Sequence, residues 1–382
     1  MVVIQMTGFV AVCYDHGRES FIRRGKSMLK AVLAAALMFT SAAHAAEKAA
    51  ADKPLIWVFS TGGTIAGTGS SPTDVSNYKA GNLTGEDLVK GLPQLADVAE
   101  IKVEQAVNVA SNNLAIADWL TLARRINETL ADPKVAGIVV THGTNTLEET
   151  AYFLNLTVKS DRPVVVVGSM RPATAISADG PMNLLSATRV AAAPEAKGRG
   201  VMIVLNDEIN SARDATKTNT ARVETFRAPE IGLLGYVDED KVTFYRATTK
   251  RHTVTSEFDV RALKTLPAVD ILYSYVEPRP ELFQALVKAG DKGIVFAGTG
   301  AGGLSKVERD AIDAMLKSKG DKPVLVRSSR TGNGRVIATK EYDERFIVPA
   351  DTLNAQKARI LLMLALTKTT DLTEIRRIFS EY

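Results

Sequence analysis

Two threonine-rich loops follow two separate apolar runs: Thr61-Gly62-Gly63-Thr64 after residues 55–59, and Thr141-His142-Gly143-Thr144-Asn145-Thr146 after residues 137–140. Each carries a threonine hydroxyl on a backbone bend at the end of a buried strand. Two such loops in one domain point to nucleophilic chemistry with a hydroxyl. Gly62 and Gly63 lack Cβ atoms, so the backbone there can bend sharply and approach a ligand. A threonine alcohol attacks only when a base takes its proton. Residues 68–78 are rich in Gly, Ser, Thr and Asn and suit a lid. Behind the second loop, the N–H groups of a helix opening at Thr146 can hold an anion or a developing oxyanion. Lys217 follows a buried strand among small polar residues, where desolvation would free its amine as a base. Each reading has a plain alternative: a tight strand-to-loop turn, ordinary helix capping, and a solvated surface lysine.

The elements that must position these groups alternate. Residues 55–59, 137–140, 163–167 and 201–205 read as buried strands, because parallel strands covered on both faces are continuously apolar. Helices are expected at 115–130 and 146–158, the latter with Thr146 and Glu149 as a capping box, and a third opens at Asp179-Gly180-Pro181. Residues 236–245 read as a hairpin with an acidic turn. A linker is expected over 246–268. Then βα alternation resumes, with strands at 269–273, 293–297 and 323–327 and helices at 280–289, 305–317 and 351–367, plus a short one ending near Phe379. Ser305 and Glu308 form a second capping box. The fold class is therefore α/β: a larger N-terminal domain over 54–245 with a mainly parallel mixed sheet flanked by helices, and a smaller C-terminal α/β domain over 269–382 with a parallel sheet.

Gly298-Thr299-Gly300-Ala301-Gly302-Gly303 fits the pattern of a dinucleotide loop. The strand that follows ends in Arg327-Ser328-Ser329-Arg330 and not in the acidic residue such a site carries, which leaves an NADP reading as the variant to test.

Composition narrows the classes. The 382 residues suffice for two domains. Of the net charge of +4, residues 1–45 supply five cations against two anions, so the remainder is nearly neutral, which argues against a nucleic-acid partner. Residues 1–45 read as a leader and export signal, with Lys30 before an apolar run at 31–39 and a small-x-small cleavage site at Ala43-His44-Ala45. The apolar run is too short to span a bilayer. The expectation is a periplasmic protein cleaved near Ala45, with no membrane contact after signal removal; a membrane-anchored or cytosolic N-terminus is the alternative. Cys13 is the single cysteine and lies in this leader, and only His142 and His252 remain beyond it, so a His/Cys metal cluster is not expected.

Read together, these segments resemble one family. Val58–Gly67 and Thr141–Ala151 are similar to the two signature segments of bacterial type II L-asparaginases and glutaminase-asparaginases. So are Gly168-Ser169-Met170-Arg171-Pro172 with Ser177-Ala178-Asp179-Gly180, Arg213-Asp214 through Lys217-Thr218-Asn219, Val326 to Arg330, and Leu353-Asn354 with Gln356-Lys357-Ala358-Arg359. The likeness runs in order over about 54–382. It implies an exported amidohydrolase that converts L-asparagine to L-aspartate and ammonia, often with some L-glutamine activity. It also implies no cofactor, and a homotetramer whose sites are completed by the neighbouring subunit. Carried over, Thr64 is the nucleophile and Tyr78 the lid tyrosine that shares its proton. Thr144 is the second catalytic threonine with Lys217 as its partner. Gly63, Ser111, Asn112 and Asn145 lie where the family grips the substrate. Glu341 is the favoured acid to pair with Tyr78 across the interface, with Asp343 and Glu344 as alternatives.

Three departures qualify the resemblance. Asn145 stands where the family has an aspartate that binds the substrate ammonium, and Asn112 where it usually has glutamine. Ala301 and Gly303 stand where polar side chains often reach the neighbour's site. The segment 340–349 is about two residues short. Asn145 opens a second class of function, a weakly active or inactive periplasmic amino-acid binder.

Overall fold

The computed structural model describes residues 53–382, so the expected leader, export signal and Cys13 lie outside the described residues. Two sheets organise the unit from Pro54 to Tyr382. The larger has eight strands: β1 (Leu55–Gly62), β2 (Glu100–Val109), β3 (Val135–Thr141), β4 (Val164–Val167), β5 (Val201–Leu205), β6 (Glu208–Ser211), β7 (Gly235–Val237) and β8 (Val242–Phe244). Their order is β8-β7-β6-β5-β4-β3-β1-β2. Strands β1 to β5 run parallel, while β6 to β8 are antiparallel. This is the mixed, mainly parallel sheet that the sequence led us to expect, including the hairpin at its edge.

The continuously apolar strands are covered on both faces. Ile138 and Val140 of β3 join one core with helices α1 (Ile116–Thr129) and α2 (Leu147–Thr157). Val139 points the other way, into a second core with α3 (Gly180–Ala192). Strand β2 was not among the expected strands. It lies at the sheet edge, and its residues alternate between more and less exposed, with Lys102, Glu104 and Gln105 breaking the apolar run. A half-solvated edge strand has no continuous apolar signature to read.

The smaller sheet has four parallel strands, β9 (Val269–Tyr273), β10 (Gly293–Gly298), β11 (Val324–Ser329) and β12 (Val348–Pro349), in that order. Helices α4 (Pro280–Ala289) and α5 (Lys306–Lys317) cover one face through Phe283 and Ile312. The predicted box at the start of α5 is formed: the Glu308 N–H donates to Ser305 Oγ and the Ser305 N–H to Glu308 Oε2, at 3.3 and 2.7 Å. The other face is covered by α6 (Ala355–Ala365), which starts later than the expected 351. Asp351 has φ 54°, outside the right-handed helical region, and Asn354 caps the helix by accepting from the Lys357 N–H. Helices α2 and α6 are buried nearly all round and share one core with strands of both sheets, as expected of helices apolar on every side.

The segment 246–268 is polar in sequence but is not a loose linker. Phe258 and Val260 are buried, and the Phe258 ring lies 5.1 Å from that of Tyr382 at the end of helix α7 (Leu372–Glu381). Glu257 gathers Arg251, Lys368 and Arg377 around its carboxylate, at 3.3, 3.1 and 3.0 Å. The charges that made the segment look solvated are paired to the C-terminal helix, and its few apolar residues anchor it. Among the described residues, no helix is long and apolar enough to cross a membrane. Truncating an anchor tests the packing: Phe258→Ala should lower unfolding free energy by about 3–5 kcal/mol in urea titration. A change near zero would mean the segment is a free connector.

Candidate active site

The chain passes from β1 out to β2 at the sheet edge, then crosses to β3 on the other side of β1. This reversal is a topological switch point at the carboxyl ends of β1 and β3, the place where open α/β sheets bind ligands. Both threonine loops emerge there. Thr61 Oγ1 donates to the Thr141 carbonyl at 2.9 Å, and Thr141 Oγ1 donates to Ser60 Oγ at 3.1 Å, so the two strand ends are stitched together. Gly62 and Gly63 both have positive φ, 93° and 82°. A Cβ on Gly63 would sit 2.2 Å from Gly143 Cα, so the two loops touch backbone to backbone and no side chain fits between them.

Beyond this contact, Thr64 and Thr144 are both buried. Thr64 Oγ1 shares a 2.7 Å hydrogen bond with Tyr78 Oη. Tyr78 reaches it from a small hairpin in which Thr68–Gly69 pairs antiparallel with Tyr78–Lys79. A Cβ on Gly67 would strike the Tyr78 ring at 2.8 Å, so that glycine lets the ring lie over the loop. Lys217 Nζ donates to Thr144 Oγ1 at 3.0 Å and to Asn145 Oδ1 at 3.4 Å. Lys217 sits on a two-residue strand, Thr216–Lys217, and not in the expected open loop. Burial lowers its pKa below the ordinary lysine value, against the opposing pull of Glu148.

The other predicted residues fall into place unequally. Ser111 is buried on a 3-10 turn after β2, and its Oγ lies 2.8 Å from where a Gly143 Cβ would be. Asn112 is exposed beside it, and Asn145 is exposed beyond Thr144. Glu341, on the short helix Lys340–Asp343, pairs with Arg309 at 2.9 Å, and Asp343 with Arg376 at 2.7 Å. Among the described residues, neither acid hydrogen-bonds Tyr78.

Two expectations change. Thr146 and Glu149 do not make a capping box; Thr146 Oγ1 donates instead to the Ser111 carbonyl at 2.8 Å. A tertiary partner displaces the local one, and the Ser111 turn is thereby tied to the second threonine loop. The glycine-rich loop at 298–303 does not present its amides to a phosphate. Its Ala301 and Gly302 carbonyls accept from Arg327 Nη1 at 2.9 and 3.3 Å, and the arginine lies over the Tyr342 ring at 3.9 Å. With its guanidinium committed to the Ala301, Gly302 and Ile337 carbonyls, Arg327 is not free to hold the 2′-phosphate of the NADP reading.

Sequence reasoning passed over His142 and Glu148. His142 is fully buried and bridges the Gly143 carbonyl at Nδ1, 2.7 Å, and Thr150 Oγ1 at Nε2, 2.8 Å. Trp119 Nε1 donates to the same Thr150 oxygen at 2.8 Å, so the Thr150 hydroxyl donates to Nε2 and His142 donates from Nδ1. The ring holds Gly143 in place. Desolvation drops its pKa from 6.5 to about 4. A depressed folded-state pKa means stability present above the unfolded value and lost as pH falls through the folded one. From pH 6.5 towards 4, this histidine should remove about 3 kcal/mol of stability. His142→Gln should flatten that decline in denaturant titrations across the window; an equal slope in both proteins would show that the ring is not the source.

Comparisons with known proteins bear on the family and the fold. Residues 55–250 match the family model "Asparaginase, N-terminal", and residues 268–379 match "Glutaminase/Asparaginase C-terminal domain". L-asparaginase 2 of Bacillus subtilis is 53% identical over 90% of this chain and 90% of its own length. A probable periplasmic L-asparaginase of Haemophilus influenzae is 45% identical over 87% and 94%. The glutaminase-asparaginase of Pseudomonas fluorescens is 44% identical over 94% and 99%. A crystal structure of a probable cytoplasmic L-asparaginase from Campylobacter jejuni superposes with a TM-score of 0.83 at 46% identity, covering 86% of this chain and 100% of that one. With both parts of the chain matched and relatives this similar along most of their length, the chain belongs to the asparaginase family.

Proposed function

We propose that this chain hydrolyses L-asparagine to L-aspartate and ammonia through an acyl-enzyme on Thr64, with L-glutamine as a second substrate. The observation that carries the reading is the pairing of two buried threonine hydroxyls with two proton-exchanging groups of different kinds, Tyr78 Oη and Lys217 Nζ. In the first half-reaction, Thr64 Oγ1 attacks the side-chain amide carbon as its proton passes to Tyr78 Oη, and Tyr78 hands its own phenol proton on towards the amide nitrogen. Backbone N–H groups of the threonine loops hold the oxyanion. The C–N bond breaks, and the nitrogen leaves as ammonia with the proton returned to it. In the second, a water oriented by Thr144 and deprotonated through Lys217 attacks the ester and releases Thr64. The lowered Lys217 pKa supports this role, since the neutral amine is the base.

The family expectation also supplies a periplasmic location, supported by the name of the Haemophilus relative, and a homotetramer in which Glu341 of a neighbouring copy meets Tyr78. Thr64→Val should retain below about one per cent of ammonia release from asparagine. Retention of more than a few per cent would remove Thr64 as nucleophile. Running the same assay with glutamine settles the second substrate.

One observation favours a second reading, a weakly active amino-acid binder: Asn145 is neutral and exposed at the rim, where a carboxylate would attract an ammonium group. Asn145→Asp should raise kcat/KM by about ten- to a hundredfold. Because its carboxylate would face Lys217 Nζ, it should also raise that lysine's pKa and move the acid limb of the rate profile to higher pH. Equal or lower kcat/KM in the variant would mean the asparagine is suited to its site. Calorimetric binding of asparagine without ammonia release would favour the binder.

A further inference from the structure

One segment that resembles the family is not used by the chemistry above: Asn354 and Gln356 with Lys357, at the start of α6. Its side chains point at the lysine of the proposed site by way of one buried carboxylate. Glu148 lies in the first turn of α2, four positions after Thr144, and is buried. Its Oε2 accepts from Thr216 Oγ1 at 2.7 Å and from the Lys217 backbone N–H at 2.6 Å. Its Oε1 accepts from Asn354 Nδ2 at 3.0 Å and Gln356 Nε2 at 2.7 Å. Thus one carboxylate joins the threonine helix, the lysine strand and the C-terminal domain, with each oxygen taking two donors. From the other side, buried Lys357 donates to the Arg213 carbonyl at 2.8 Å and to the Ala215 carbonyl, and Arg213 Nη1 donates to Thr352 Oγ1 at 2.8 Å. The stretch that carries Lys217 is therefore gripped on both sides by residues 352–357.

We propose that Glu148, held by Asn354 and Gln356, is the positioning residue that fixes Lys217 against Thr144. Through it, the C-terminal domain sets the base of the site within the same chain. A side chain on a two-residue strand has little intrinsic rigidity. A misplacement of about 1 Å in a catalytic group can cost about a hundredfold in rate, so the strand needs such a clamp. The inference rests on the reading of Lys217 as a base.

Charge enters as well as position. Lys217 faces the Thr144 hydroxyl and the neutral Asn145 from one side. Across its own short sheet it faces Phe226, beside Arg227, which is exposed and paired with Glu224. Glu148 is the acid that acts on it, raising its pKa against burial. Glu148 also acts on its neighbours Glu149 and Lys357; Arg359 acts on Glu149, and Arg213 and Asp214 act on Lys357. Removing the Glu148 charge should lower the Lys217 pKa, so the base form persists to lower pH.

The experiment is ammonia release from asparagine as a function of pH in the full-length protein. Glu148→Gln should lower kcat about tenfold or more and move the acid limb of the kcat profile down by about half to one pH unit. Gln356→Met removes one donor, keeps the Glu148 charge and is the milder variant for folding; it should lower kcat several-fold while KM stays within about twofold. Gln356→Met decides the matter if Glu148→Gln does not fold. A purely structural role would lower the melting temperature and leave kcat and the acid limb where they are. That outcome in folded variants would overturn the clamp, provided Lys217→Met abolishes turnover. If Lys217→Met turns over at the native rate, the base assignment fails first and takes the clamp with it.

Discussion

The site depends on a contact with no side chains in it. Gly63 and Gly143 meet backbone to backbone, and everything chemical is arranged around that meeting. Thr64 and Thr144 each follow by one residue, so the closeness of the glycines fixes how near the two hydroxyls stand. The surrounding bonds serve this approach. Thr61 and Thr141 stitch the strand ends, His142 holds the Gly143 carbonyl, and the Gly63 N–H and carbonyl are taken by the Val109 carbonyl and the Gly81 N–H at 3.0 Å each. A buried polar loop is tolerable only when such backbone groups are satisfied.

In the proposed reaction, two hydroxyls with different partners divide the labour that one would have to perform twice. Tyr78 comes from a small hairpin on the outer side of the first loop. Lys217 comes from a strand clamped from within. One partner therefore belongs to an element with few buried anchors, and the other to one held by hydrogen bonds on both sides. This difference suits the proposed pair of steps, a first that needs the substrate covered and a second that needs a water held steady.

Much of the fold was legible because its strands are buried on both faces and so are continuously apolar, as at 137–140 and 201–205. Strand β2 escaped for the opposite reason: half of it faces water. The segment 246–268 reads as solvated because Arg251 and Glu257 are charged, while in space they pair with each other, with Lys368 and with Arg377 of helix α7. At the site, the pairings of Thr64 with Tyr78 and of Thr144 with Lys217 could be carried over from a family likeness, but no spacing rule yields a contact across 73 residues. Thr146 and Glu149 had the pattern of a capping box and lost it to Ser111, a partner that only the folded chain supplies. Glu148 was hidden in the same way. A glutamate in the first turn of a helix reads as a favourable charge near a helix start, and its four donors come from positions up to 208 residues away.

The two fully buried helices, α2 and α6, have a consequence for how the molecule can be taken apart. They lie within one continuous apolar core shared by strands of the two sheets, so the boundary seen in the strand order is not a seam. A protease cut between β8 and β9 would not liberate two independent modules. It would leave each fragment with an oily helix and no counterpart, and the expected products are aggregates or a nicked chain that stays together. Wide hinge opening is barred for the same reason, which leaves motion around the threonine loops to short surface pieces such as the hairpin bearing Tyr78.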